Sequence, residues 1–227
     1  MKTRTSFKTK LLIALLPIAM WPVVALAQTT IDKIEEFRGQ GYSVISITPV
    51  FNQLVAFSLP AGFVTVSENA QNGLYMREAI PKGETVSNWT QMLTLSGFKD
   101  LAKNPKLDLV TFSNLYMKQM VNKCAPNASG EKVTDLKVGE HDALIYFVSC
   151  ASVNYSGGAH SEQTLFLSIK GESDYYMVLL AERGPPQESI PVFERDKWAN
   201  RFNQIKPIKL CPRAPGEAPP YPSCAKG

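Results

Sequence analysis

Ala143-Leu144-Ile145-Tyr146-Phe147-Val148-Ser149-Cys150 decides the fold. Leu144, Tyr146, Val148 and Cys150 fall on one face of an extended chain, and Ile145 and Phe147 fall on the other. Apolar side chains on both faces predict a strand in the middle of a sheet, covered above and below. The segments that follow read alike. Thr164 to Lys170 sets Leu165, Leu167 and Ile169 on one side, and Asp174 to Ala181 is nearly all apolar. Gly171 to Ser173 turns between them, so the three runs read as an antiparallel meander.

Before this meander the apolar period becomes helical. From Leu107 to Cys124, Leu109, Phe112, Tyr116 and Met120 recur at three- and four-residue intervals, with Met117, Val121 and Cys124 beside them. That stripe predicts a helix packed on the sheet; the methionines and aromatics would alternatively line a ligand groove. A second helix is expected from about Pro191, with Trp198, Phe202 and Ile205 on one face and Pro207 ending it.

Nearer the N-terminus, Ile31 to Arg38 has a short helical stripe and Tyr42 to Val50 alternates as a strand. Gln53 to Leu59 and Phe63 to Val66 flank Pro60-Ala61-Gly62, which predicts a hairpin. Asn69 to Gly73 reads as a polar turn, and Leu74 to Ile80 as a strand ending at Pro81. Asn88 to Leu95 reads as a further strand with Trp89, Leu93 and Leu95 on one face. Ser96 then suits the N-cap of a short helix through Ala102.

Residues 1–27 read as an export leader. Lys2, Arg4, Lys8 and Lys10 precede the apolar run Leu11 to Ala27, and Ala25-Leu26-Ala27 gives the small-x-small pattern of a cleavage site. A retained anchor is the rival, but the run is short for a span of roughly 20 apolar residues and holds Pro17 and Pro22. The compact leader looks bacterial, so the acceptor patterns beginning at Asn88, Asn127 and Asn154 are read as accidental.

The chain has 227 residues, 44% hydrophobic and 19% charged, with 24 basic and 20 acidic groups. All four charges of the leader are basic, so its removal leaves 20 of each sign. A neutral mature chain gives no reason to expect nucleic-acid binding or attraction to anionic lipid. No stable membrane span is expected after cleavage. The domain reading is therefore 1–27 leader, 28–206 one domain, and 207–227 a tail holding six of the sixteen prolines.

Export would place Cys124, Cys150, Cys211 and Cys224 in an oxidising compartment. Four cysteines allow three connectivities. Local logic favours Cys124–Cys150 and Cys211–Cys224, the latter closing the proline-rich tail. A thiolate metal site lacks its usual close cysteine pairs, and no metal or cofactor is expected. The tail would otherwise be a proline-rich recognition ligand.

Several stretches resemble the PsbP-like and DcrB-like superfamily of small α/β proteins. Phe57-Ser58-Leu59-Pro60-Ala61-Gly62-Phe63 is similar to that family's f-x-LP-x-GW segment, with Phe63 where the family often has Trp. Gly83-Glu84-Thr85-Val86-Ser87-Asn88-Trp89-Thr90 is similar to its turn into a strand. The order of central helix, meander and terminal helix also matches, over roughly Val55 to Ile205. The resemblance implies a single α+β domain, an antiparallel sheet with helices packed against it in a PsbP-like α/β/α sandwich. It also implies a binding, assembly or accessory role without catalysis.

The most site-like stretch is Asn154-Tyr155-Ser156-Gly157-Gly158-Ala159-His160-Ser161-Glu162. Tyr155, Gly157, Gly158 and His160 are the candidate binding residues, at the turn of a hairpin between long strands. A hydrolase would need a nucleophile within hydrogen-bond reach of its base, with an acid behind. Ser161 and His160 are neighbours on one strand and would point oppositely, and no catalytic residue is assigned. His141, beside Asp142 and after Gly139, reads as a turn histidine. The expectation is an exported, disulfide-stabilised binding or accessory protein of the cell envelope, periplasmic or secreted, with a protein or small-molecule partner. The alternatives are a periplasmic inhibitor or immunity-type protein, or a secreted hydrolase using His160.

Overall fold

A computed structural model describes residues 33–40, 44–124, 126–155 and 158–225. Its elements in chain order are α1 (residues 33–39), β1 (Ile45–Val50), β2 (Gln53–Ser58), β3 (Phe63–Gln71), β4 (Leu74–Pro81) and β5 (Gln91–Phe98). A 3-10 turn at Leu101–Lys103 leads to α2 (Leu109–Cys124). There follow β6 (Ala128–Val138), β7 (His141–Tyr155), β8 (Gly158–Lys170), β9 (Tyr175–Gly184), α3 (Arg195–Gln204), β10 (Lys209–Pro212) and α4 (Pro222–Ala225). The class is α+β, in one domain.

Seven strands form an antiparallel sheet in the order β3-β4-β5-β9-β8-β7-β6, and β1-β2-β10 form a second, smaller sheet. The alternation read in Ala143–Cys150 sorts its side chains between two cores. Leu144, Tyr146, Val148 and Cys150 pack with Leu109, Phe112 and Cys124 of α2. Ala143, Ile145 and Phe147 face the other way, onto Trp198 and Phe202 of α3 and Val55 and Phe57 of β2. One covering layer is therefore α2, and the other is α3 together with the small sheet. Phe112 stacks on Tyr175 at 4.3 Å in the first core, and Phe147 meets Trp198 at 5.3 Å in the second. Full burial of each such apolar side chain stabilises by roughly 1.5–3 kcal/mol, which makes this period-2 pattern decisive.

α2 begins where Asp108 Oδ1 accepts a hydrogen bond from the Thr111 amide at 2.7 Å, a side-chain cap. Gly130 on β6 lets the helix approach. A Cβ there would come 2.8 Å from Met117 Cγ and 2.9 Å from Val121 Cγ2.

The structure corrects several local expectations. Pro60-Ala61-Gly62 does not close a hairpin, because β2 and β3 belong to different sheets. β2 pairs instead with β1 across Phe51-Asn52, and with β10 on its other edge. Every residue of β2 is buried, so the strand requires a neighbour on both edges. The polar turn before β4 shrinks to Asn72-Gly73, both at positive φ, and Asn69 to Gln71 continue β3. β5 starts at Gln91 and runs through Ser96, which pairs with Met76 and Met177 and is no helix cap. Trp89 precedes that strand and clusters with Ile80, Met92 and Ala181, apart from Leu93 and Leu95. His141 opens β7 opposite Val138, and β6 supplies an edge strand that the sequence reading missed. α3 begins only at Arg195.

The proline-rich tail contributes to the fold. β10 pairs with β2, and the Cys211–Cys224 bond brings Cys224 and Tyr221 over Leu54 and Ala56 on the small sheet's outer side. Among the described residues no helix is long and apolar enough to cross a membrane.

Candidate functional site

The β7–β8 hairpin carries the candidate residues. Its register runs Cys150↔Glu162, then Val153↔His160 and Tyr155↔Gly158, with an irregularity between Cys150 and Val153. Two residues, Ala151 and Ser152, thus stand against Ser161 alone, which is the geometry of a β-bulge. Tyr155 ends β7, Gly158 begins β8 at φ 104°, and Gly157 lies outside the described residues.

His160 and Glu162 are two apart on β8 and share a face. His160 Nε2 lies 3.6 Å from Glu162 Oε2, and His160 Nδ1 lies 3.2 Å from the Gly158 carbonyl. Glu162 is held from the neighbouring strand by Arg183, whose Nε donates to Oε2 at 2.9 Å. The Arg183 guanidinium in turn covers the indole of Trp89, 3.7 Å from the ring centroid. Imidazole, carboxylate and guanidinium are 13%, 14% and 14% exposed, so the group is largely desolvated. Burial, followed by the Arg183 charge, lowers the His160 pKa below its ordinary value of 6.5, with Glu162 acting in the opposite sense. The uncharged imidazole is therefore the form that this setting favours.

Two shallow clefts meet at this cluster. One, of about 250 Å³, is bordered by Asn88, Trp89, His160 and Arg183. The other, of about 290 Å³, shares Trp89 and Arg183 and runs along the sheet toward Met92 and Met120. Met120 and Tyr116 thus border a cleft while still packing against the α2 core. A larger concavity, about 1060 Å³, lies elsewhere and includes none of the hairpin residues; Arg38, Lys197, Arg201 and Lys206 border it around Glu182.

The hairpin does not assemble a hydrolytic relay. Ser161 is buried, pairs with Gly184, and borders the cleft beside Gln163 and Pro191, on the face opposite His160. The acid nearest His160 is engaged by Arg183. Sequence reading included Glu162 in the candidate stretch but missed its partners Arg183 and Trp89. Glu182-Arg183 interrupting an apolar run at the end of β9 was the available signal for the former.

A second polar centre was not foreseen. Asp174 is 1% exposed; its carboxylate accepts from the Asp100 amide at 2.7 Å, the Tyr176 hydroxyl at 3.2 Å and Asn52 Nδ2 at 3.4 Å. His141 sits nearby, with Nδ1 3.1 Å from the Lys170 carbonyl and Nε2 3.5 Å from Gln53 Nε2. Gln53 Nε2 can only donate, so Nε2 of the imidazole accepts and Nδ1–H donates. These contacts tie the β1–β2 turn to the large sheet and have the character of a structural pin. Among the described residues no three His, Cys, Asp or Glu side chains converge as a metal site.

Both disulfides, Cys124–Cys150 and Cys211–Cys224, are formed, with Cα separations of 5.5 and 5.6 Å. Such bonds persist in oxidising, extracytoplasmic compartments.

No family model matches the chain, and no curated protein matches it. Solved structures similar to it include the Ran-binding protein Mog1p of Saccharomyces cerevisiae, at 9% identity over 72% of this chain and 85% of that one, with a TM-score of 0.39. Cyanobacterial PsbP from Synechocystis is 10% identical over 73% of this chain and 89% of its own, with a TM-score of 0.42. LpqN, involved in cell envelope biogenesis of Mycobacterium tuberculosis, is 10% identical over 80% and 96%, with a TM-score of 0.33. No residue, ligand or partner passes from these proteins to this chain. The likeness is of fold alone.

Proposed function

We propose that this chain is an exported, disulfide-stabilised binding or accessory protein of the bacterial cell envelope, acting without catalysis through the β7–β8 end of its sheet. The observation that carries the reading is the engagement of Glu162 by Arg183 beside His160, with Ser161 buried on the opposite face. The hairpin end thus offers an imidazole, a guanidinium backed by an indole, and exposed backbone at Gly158 and Ala159, which are groups for recognition. Export is supported by the two disulfides and by the leader-like composition of residues 1–27.

Expression with the native leader, followed by fractionation and intact-mass measurement, tests the compartment. A periplasmic or secreted chain cleaved after Ala27, with no free thiol, is expected. An uncleaved chain with reduced cysteines in the cytoplasm would overturn the reading. Hydrogen exchange of residues 153–162 with and without an envelope extract tests the surface. Slowed exchange there, absent in His160→Ala, is expected; identical exchange in both conditions would remove the hairpin as the binding end.

A further inference from the structure

The concavity bordered by α3 and by the connection from β2 to β3 has two unlike walls. On one, Lys197, Arg201 and Gln204 recur at four- and three-residue spacing along α3, and Lys206 follows them. The other is apolar and is formed by Leu59, Pro60, Ala61 and Phe63. The cleft holds about 1060 Å³, room for a small organic molecule.

The cationic wall is short of acids. Among the described residues that line the cleft Glu182 is the one acid, and it already serves two cations. Lys197 Nζ reaches its Oε1 and Arg201 Nη1 its Oε2, both at 2.7 Å. Glu194 comes no nearer to Lys197 than 3.8 Å and is largely in water, where such a pair counts for little. Lys206 lies over the Phe202 ring, 5.2 Å from its centroid, and has no carboxylate partner among the described residues. Three cations against one carboxylate thus leave an excess of two positive charges on this wall. Arg201 also donates to Gln91 Oε1 at 2.9 Å, which leaves the Gln91 amide nitrogen, a donor, for another acceptor.

Both walls are fixed before anything binds. Ser58 holds the cationic side, its hydroxyl donating to the Lys206 carbonyl at 2.6 Å and its amide to the Ile205 carbonyl at 3.0 Å. Arg38 is committed to Glu35 and to the Leu59 carbonyl, and Glu35 accepts from the Gly62 amide at 3.3 Å, so this pair belongs to the apolar wall. A cleft ordered in advance loses little further entropy on association.

We propose that this cleft binds a small amphipathic anion, a carboxylate carried on an acyl-sized apolar body. The carboxylate meets Lys206, Lys197 and the Gln91 amide, and the apolar body lies along Leu59, Pro60 and Phe63. A concave site between fixed walls suits a free molecule, not a membrane surface. The cleft includes no hairpin residue, so this site stands apart from the function proposed above.

The test follows the amide chemical shifts of the full chain, with both disulfides formed, during titration with octanoate, acetate and octanol. Octanoate is expected to bind saturably with a dissociation constant of about 1 mM or tighter, shifting residues 59–63, 91 and 197–206. Acetate, lacking the apolar body, and octanol, lacking the charge, should each bind at least about tenfold more weakly. Lys206 is exposed, so Lys206→Glu should keep the fold, which unchanged shifts in β7 to β9 verify. That variant should weaken octanoate at least about fivefold and leave octanol unaffected, and Lys206→Gln should weaken octanoate by a smaller factor. Absence of saturable octanoate binding, shifts centred on Trp89 and Met120, or equal affinity for octanoate and octanol would each overturn the proposal. So would octanoate binding indifferent to Lys206→Glu, or a response to phosphatidylglycerol vesicles without one to octanoate.

Discussion

Arg183 lies over the indole of Trp89, 3.7 Å from the ring centroid, and from that position reaches Glu162 on the adjacent strand. The stack sets the guanidinium on β9 in register with the carboxylate on β8, where the two residues pair across the sheet. Trp89, though outside any strand, thus orients the polar cluster at the hairpin end.

Removing Arg183 leaves Glu162 desolvated without its cation. Breaking such a pair costs about 3 kcal/mol, and loss of the cation–π contact adds up to about 1 kcal/mol. Arg183→Ala should therefore lower unfolding stability by about 3–4 kcal/mol in urea titrations. Glu162→Gln in the Arg183→Ala background should recover part of the loss. A fall below 1 kcal/mol would mean that the pair is effectively hydrated.

His160 carries a pH dependence whose sign follows from its environment. Its pKa is lowered in the folded chain, so the unfolded chain binds more protons as pH falls below about 6.5. Its stabilising contribution is complete above that unfolded value and is lost as pH falls toward the lowered folded one. Urea midpoints between pH 7.5 and 5 should decline less steeply in His160→Asn than in the unaltered chain. Parallel curves would remove His160 as the titrating group.

Asp174 is expected to matter more than its position at a strand start suggests. Asp174→Ala strands the Asp100 amide and frees Asn52 and the Tyr176 hydroxyl from their acceptor. An unsatisfied buried polar group costs about 1–3 kcal/mol, so a loss of 2–4 kcal/mol is expected, with Asp174→Asn losing less. Hydrogen exchange should quicken first around residues 99–101 and 171–174. Unchanged exchange there would show that the carboxylate is not the pin between the sheets.

The legible part of this fold was the part whose side chains are sorted by burial. Leu144 to Cys150 separates into two cores because both faces of β7 are covered, and α2 announces itself through Leu109, Phe112 and Tyr116. β6 was silent because Glu131, Lys132, Asp135 and Lys137 give an edge strand no apolar alternation, which is also what protects such an edge from further pairing. Pro60-Ala61-Gly62 did mark a local turn, in which the Phe63 amide donates to the Pro60 carbonyl, but such a turn carries no information about which sheet receives the next strand. The candidate site divided in the same way. His160 and Glu162 stand two apart on one strand and were visible together, whereas Arg183 and Trp89 arrive through tertiary pairing, and Asp174 through contacts across 122 residues to Asn52.

The two disulfides should fail differently when removed. Loop closure assigns each roughly 3 kcal/mol, with separations of 26 and 13 residues. Cys124 and Cys150 sit in a core that α2 also holds through Leu109 and Phe112, so Cys124→Ala with Cys150→Ala should cost about that amount and leave the sheet intact. Cys211→Ala with Cys224→Ala also releases Tyr221 from Leu54 and Ala56, uncovering the outer side of the small sheet. Its β2 amides should exchange faster and the unfolding transition should broaden, because β10 then leaves one edge of β2 unpaired. Equal exchange of β2 in the two double variants would show that the tail adds no cover beyond its strand.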